Sequence, residues 1–193
     1  MRYNLRHLVR SYRQAITIFV VIFFGLIFFI TVSGFYPIMV VNGDWISARR
    51  FRLHLGAAEH YESQARTTSA TLTVLKNQDL TLSIVSGLIE EQLIEQGAEK
   101  EFGKTLDSLR TERTNNFLAR PSDITEESRR YGLSRQKFEK EILRPQVTRD
   151  LLAGRLFLQS LRLEDWLVQE KKKASITIFS QVFSWNEGEV RAR

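Results

Sequence analysis

From Ala15 to Gly34 the sequence reads AITIFVVIFFGLIFFITVSG, twenty residues without a charge. A helix rises about 1.5 Å per residue, so about 20 apolar residues cross a hydrocarbon core about 30 Å thick. Arg2, Arg6, Arg10 and Arg13 precede the run with no acid among them. Such a basic flank keeps an N-terminus in the cytoplasm. Phe35 and Tyr36 follow directly, at the depth where aromatic rings settle among headgroups. The expectation is a single-pass anchor in the cytoplasmic membrane, with the chain from about Val40 onward outside the cytoplasm. A cleaved signal peptide has an apolar region of about 7 to 15 residues, shorter than this one, although Thr31 and Ser33 are small enough to mimic a cleavage site. A helix carrying two Phe-Phe pairs, Phe23-Phe24 and Phe28-Phe29, would need cover on every side in a soluble core.

The formal charge of +6 first suggests nucleic acid. Its distribution argues against that partner. Four of the 28 Lys and Arg residues precede the apolar run, and the remaining 24 are matched by 22 Asp and Glu. The signs are interspersed, with no one-faced basic stripe, and Lys171–Lys173 reads as a solvated helix end. The absence of cysteine removes disulfides, thiolate metal sites and thiol nucleophiles together. An extracytoplasmic part of about 150 residues suits one domain with a core of its own.

The rest of the chain reads as helices closed by a little sheet. Ile38–Val41 is a short strand, Asn42-Gly43 a type I′ hairpin turn, and Trp45-Ile46 the return. Ser47 caps a helix running to about Gln64, with Phe51, Leu55 and Ala58 on one stripe. A Thr/Ser-rich loop follows from Thr67 to Lys76. Asp79–Phe102 is a second helix, with Val85, Ile89 and Leu93 on its apolar face and Glu90, Glu91 and Glu95 on its solvated one. Gly103 ends it, and Thr105 caps a polar helix to about Ala119, after which Pro121 breaks the chain. Ser122–Tyr131 is a short helix stopped at Gly132. Ser134 then caps the longest helix of the domain, with Leu143, Val147, Leu151 and Leu158 at helical spacing and a bend at Pro145. Leu161–Lys173 is helical again, using Trp166 and Leu167 as apolar contacts. Ser175–Trp185 alternates and is rich in β-branched and aromatic residues, hence a strand. An isolated hairpin is marginal in water, so this last strand is expected to pair with Ile38–Val41.

Motifs with chemistry are mostly missing. His7 falls in the basic tail, while His54 and His60 stand six apart on one helix and diverge by about 120°. They cannot chelate one ion together, and they read as surface histidines. Glu90-Glu91 and Glu126-Glu127 diverge as sequence neighbours on helices and read as solvated. No Gly-rich phosphate loop, G-x-S-x-G or H-E-x-x-H occurs. The residues point to no catalytic, cofactor-binding or metal-ligating set, and they leave the substrate-binding side chains unassigned.

Three segments in order carry a family resemblance. VVNGDWISARRFRLHL from Val40, LIEEQLIEQGAEKEFG from Leu88, and YGLSRQKFEKEILRPQVTRDLL from Tyr131 resemble the signatures of the SurA N-terminal domain family. An anchor ahead of that module is similar to the arrangement in PpiD-like, membrane-bound members. The resemblance implies a mostly α fold and a holdase that shelters unfolded or nascent exported polypeptides. Members commonly continue into a parvulin-type prolyl isomerase domain, whereas this sequence stops eight residues after Trp185. The expectation is therefore a non-enzymatic chaperone. Its parts are a basic tail at 1–14, an anchor at 15–37 that contacts the bilayer, a SurA-N-like domain at 38–185, and a tail at 186–193. An isomerase-associated foldase component and a scaffold for one dedicated partner are the alternatives.

Overall fold

The computed structural model describes residues 5–68, 77–119 and 121–193. Its first helix, α1 (Leu5–Ser33), stops at a glycine. Gly34 takes φ +73°, and the Phe35 N–H reaches back to the Ile30 carbonyl at 3.3 Å. This left-handed closure satisfies a terminal carbonyl, and glycine adopts it without a Cβ penalty. The helix thus ends short of the expected boundary at 37, because Pro37 already opens β1 (Pro37–Val41). The side chains described within α1 are those of 16, 18–25 and 28–33. Among the described residues no helix is long and apolar enough to cross a membrane.

β1 and β2 (Asp44–Ser47) form the expected hairpin, with Asn42 at φ 52° and Gly43 at φ 96° in the turn. The Ser47 hydroxyl accepts the Arg50 N–H at 3.3 Å and opens α2 (Ala48–Thr68). That helix continues past the expected end at Gln64. Most of the loop expected before Lys76 lies outside the described residues.

α3 (Asn77–Phe102) is the axis of the domain and packs against α2, α7 and α8. Val85, Leu88, Ile89, Leu93 and Ile94 are all buried along it, as its apolar periodicity requires. Gly103 (φ +51°) ends it and begins a 3₁₀ turn through Thr105. Thr105 does not cap α4 (Leu106–Leu118). Its backbone is already helical, and its hydroxyl donates backward to the Phe102 carbonyl at 2.7 Å. Pro121 opens α5 (Pro121–Arg130) from its first position, where its missing N–H costs nothing.

Gly132 (φ +64°) ends the next turn, and the Ser134 hydroxyl accepts the Lys137 N–H at 3.4 Å to cap α6 (Arg135–Phe138). Where a bend was expected at Pro145, the helix carries a π-helical segment, Glu139–Leu143, just before α7 (Arg144–Leu158). The wider turn relieves the ladder ahead of a residue that cannot donate to it. α3, at 26 residues, is slightly longer than the helical run capped by Ser134, which continues without a break through α6, the π-helical segment and α7 to Leu158. The buried face of α7 is also different, consisting of Val147, Leu152 and Leu156, while Leu158 faces outward. α8 (Leu163–Lys173) lays the Trp166 ring across α3 at Gly97, where a Cβ would stand 2.5 Å from the ring.

The last segment is the main correction. Ser175–Trp185 is not one strand. β3 (Ile176–Ile178) adds antiparallel to β1, with Val40 opposite Thr177, giving the order β2-β1-β3. The chain then leaves the sheet, and β4 (Phe183–Asn186) pairs with β5 (Glu189–Ala192) in a hairpin of its own. Residues 186–193, expected to be a tail, thus contain a strand that buries Val190 against the core. Its turn resembles the first one, with Glu187 at φ 49° and Gly188 at φ 93°. Pairing of the first and last thirds of the domain is as expected, and Asn42 seals it. Its side-chain oxygen accepts the Ser175 N–H at 2.9 Å, and its side-chain nitrogen donates to Gln96 of α3 at 2.9 Å.

Candidate functional site

Polar side chains gather where α2, α3 and the α6–α7 region face one another. Arg50 donates to Glu91 Oε1 at 2.6 Å, and its Nε stands 3.6 Å from Glu141 Oε2. His54, one turn along α2, brings Nε2 to 3.9 Å from the same oxygen. Arg50 Nε and His54 Nε2 are both buried without a hydrogen-bond partner. Burial holds His54 down to a pKa of about 4, assisted by the neighbouring Arg50 charge. Burial also pushes Glu91 up to about 7; Arg50 opposes this, and the Glu141 and Glu95 carboxylates add to it.

Deeper in, Arg110 is only 7% exposed. Its Nε donates to the Thr148 hydroxyl at 2.9 Å, and its Nη2 lies 2.5 Å from Glu95. The Thr148 hydroxyl in turn donates a hydrogen bond to the Arg144 carbonyl at 3.0 Å. One arginine therefore joins α3, α4 and α7 through a charged pair and a neutral hydroxyl. A buried guanidinium is tolerated only with such partners.

Apart from His54, these groups line a crevice of about 590 Å³ that extends to Phe35, just after α1. Arg49, Lys137 and Lys140 are at its edge, all exposed. The Arg49 guanidinium lies 5.3 Å from the centre of the Phe35 ring, a cation–π contact. The backbone holds it there, since Arg49 N–H donates to the Gly34 carbonyl at 2.9 Å and Ala48 N–H to Tyr36 at 3.0 Å. The Arg52 guanidinium fills the space over Gly34 that a Cβ would occupy.

An apolar surface lies at the other end of α7. Arg113 and Phe117 of α4, with Val147, Asp150, Leu151 and Gly154 of α7, line a pocket of about 210 Å³ whose floor is apolar and whose rim carries one charge of each sign. Gly154 and Leu158 share a helix face, being four apart. Phe157 and Leu158 are each 78% exposed, and Phe117 49%. Leu161 follows, exposed at 47%. Full burial of one such side chain is worth about 1.5–3 kcal/mol, and contiguous apolar surface is the usual mark of a contact site.

Several expectations about single residues need correction. His54 is no surface histidine, because α2 presses it against the π-helical segment. His60 docks on the α5–α6 turn, its Nδ1 3.0 Å from the Arg130 carbonyl and its ring over Gly132. Glu90 and Glu91 are not simply solvated. Glu90 meets Lys171 at 2.5 Å, so one member of the lysine run is committed to α3. Glu126 and Glu127 both face Arg130, at 2.7 and 3.2 Å; Glu126 is exposed and Glu127 half-buried. His54 and His60 do not converge, and among the described residues no group of three or more His, Asp or Glu is placed to hold a metal ion. The apolar face escaped the sequence because Phe117 and Leu158 carry the same signal as core residues. The charged crevice escaped because its members lie up to about 100 positions apart. No protein-family model, no curated protein and no solved structure matches this chain.

Proposed function

We propose that this chain is a membrane-anchored, extracytoplasmic chaperone without catalytic chemistry of its own. In this reading the uncharged run from Ala15 to Gly34, only part of whose side chains are among those described, crosses the cytoplasmic membrane with its N-terminus inside, and the helical domain shelters apolar segments of exported polypeptides. The uncharged run and its four flanking arginines support the anchor, and the three ordered motifs support the module. The observation that carries the activity is the set of uncovered apolar side chains on α4 and α7: Phe117, which lines a shallow pocket with Leu151 and Gly154, and Phe157 and Leu158 farther along α7. A holdase needs such a face, because an unfolded client supplies apolar surface and little fixed shape.

The test uses the full chain in lipid nanodiscs with a chemically unfolded reporter protein. Aggregation of the reporter, followed by light scattering, is expected to slow in proportion to added chain. The combined variant Phe117→Ser, Phe157→Ser, Leu158→Ser should lose most of that protection while retaining the wild-type melting temperature. No protection by the wild type, or full protection by the variant, defeats the reading. Crosslinking from intact membranes separates a holdase, which captures many polypeptides, from a scaffold, which captures one in fixed ratio. Protease added outside the cytoplasmic membrane should digest residues beyond Val40. A mature chain lacking its first 33 residues would mean cleavage after Ser33 and a released protein.

A further inference from the structure

The charged crevice opens beside the exit of α1. Its walls carry six cationic side chains, Arg49, Arg50, Arg110, Lys137, Lys140 and Arg144, against the carboxylates of Glu91, Glu95 and Glu141. Asp107, beside it, pairs with Arg110 and Arg144, so the balance remains positive. The inner cations are committed to acids, while the outer ones are not. Among the described residues Arg49, Arg52 and Lys137 form no ion pair with a carboxylate, and Lys140 reaches Glu141 only at 3.9 Å. Phe35 and Tyr36, exposed at 48% and 41%, stand at the same level. Aromatic rings next to unpaired cations just past an apolar helix form the chemical profile of a bilayer interface.

We propose that the mouth of this crevice, formed by Arg49, Lys137 and Lys140 beside Phe35, binds the phosphate of an anionic phospholipid. The proposal rests on the membrane reading of α1, which would set the mouth at headgroup depth in the outer leaflet. Three features favour a headgroup over an acidic segment of a protein. The cations flank the chain where it leaves the anchor. Backbone bonds from Ala48 and Arg49 to Tyr36 and Gly34 hold α2 there at fixed height. The only side chain that Arg49 meets among the contacts described is an interfacial aromatic ring. A bound headgroup would fix the orientation of the domain and turn the α4–α7 face toward a constant direction.

The test titrates the full chain, in a neutral detergent, with dihexanoyl-phosphatidylglycerol, dihexanoyl-phosphatidylcholine, inorganic phosphate and a hexaglutamate peptide, each followed by NMR line broadening. Phosphatidylglycerol is expected to bind tightest, and added salt should weaken it. Arg49→Gln, Lys137→Gln and Lys140→Gln should each weaken it roughly fivefold. Arg49→Lys should retain most of the affinity, and Lys172→Gln, on a helix outside the crevice, should change nothing. Equal binding of both phospholipids, or indifference to the three Gln variants, overturns the proposal. Phosphate binding as tightly as phosphatidylglycerol makes this a free-anion site and overturns the lipid assignment, as does tighter binding of the peptide. Carbonate extraction of native membranes decides separately whether α1 anchors the chain. Release of the chain there would sink the membrane reading and leave the titration result readable by itself.

Discussion

The two flanks of α7 are built on opposite principles. Near its start, Arg144 and Thr148 bond Asp107 and Arg110 of α4, and Arg110 reaches on to Glu95 of α3. Toward its end, Leu151, Gly154 and Leu158 present a mostly apolar strip, with Phe117 and Arg113 of α4 alongside the first two. The charged flank is specific in geometry and gains little net energy, since desolvation offsets most of what buried pairs return. The apolar flank is nonspecific, and each uncovered side chain leaves burial free energy of about 1.5–3 kcal/mol available to a partner. One helix can thus be fixed in position by one side and remain receptive on the other.

Both flanks depend on α3, which is tied to the sheet through Asn42. A chain ending at Lys173 loses β3 and the second hairpin and uncovers Met39 and Val41. Its stability should fall by roughly 3–5 kcal/mol, the worth of two or three orphaned backbone groups plus exposed core. An unchanged denaturant midpoint would show that the flanks do not share this support.

Gly97→Ala strikes the side of α3 that carries Trp166 of α8 and Leu152 of α7, where the new Cβ would stand 2.5 Å from the ring and 3.2 Å from the leucine. The added methyl has to displace the Trp166 ring, at a cost of about 1–3 kcal/mol. Thermal melting should register this loss while Arg110 and its partners remain undisturbed. A melting temperature equal to wild type would mean that the ring moves freely and that packing there is loose.

The charged flank alone should respond to pH. His54, with its pKa lowered to about 4, binds a proton more readily in the unfolded chain. Its contribution therefore rises with pH from about 4 to 6.5. Glu91, raised to about 7, binds a proton more readily in the folded chain, so its contribution falls as pH rises from about 4.5 to 7. The two oppose each other between about 4.5 and 6.5. Glu91→Gln should then gain stability with rising pH across that interval, and His54→Gln should lose it. The span is on the order of 1–3 kcal/mol, since both side chains retain some solvent contact. Parallel pH profiles for the two variants would break the assignment.

The smallest effect belongs to the apolar flank. Phe157→Ser and Leu158→Ser, at sites 78% exposed, should each change stability by no more than about 0.5 kcal/mol. A loss above 2 kcal/mol in chemical denaturation would mean that these side chains are core and not a contact face.

Local chemistry was legible in the chain before any contact was known. Asn42-Gly43 needs positive φ at both positions, Ser47 and Ser134 offer cap oxygens, and the 3.6 period of Val85, Ile89 and Leu93 marks an inward face. These features depend on neighbours within one turn, so their physics is already contained in a few residues. The pairing of β3 with β1 also followed, because an unpaired strand has to find a ladder and few were on offer. The end of Ser175–Trp185 was misread because alternation does not reveal where a strand leaves one sheet for another hairpin. Coverage was settled only by the tertiary structure. Leu156 and Leu158 are indistinguishable by composition, yet α3 and its neighbours enclose the first, while the second lies past the last element that could cover it. Glu91, His54 and Arg110 look like ordinary helix-surface residues until α2, α3, α4 and α7 converge. The electrostatics of each then depends on partners tens of residues away, and no local pattern encodes those distances.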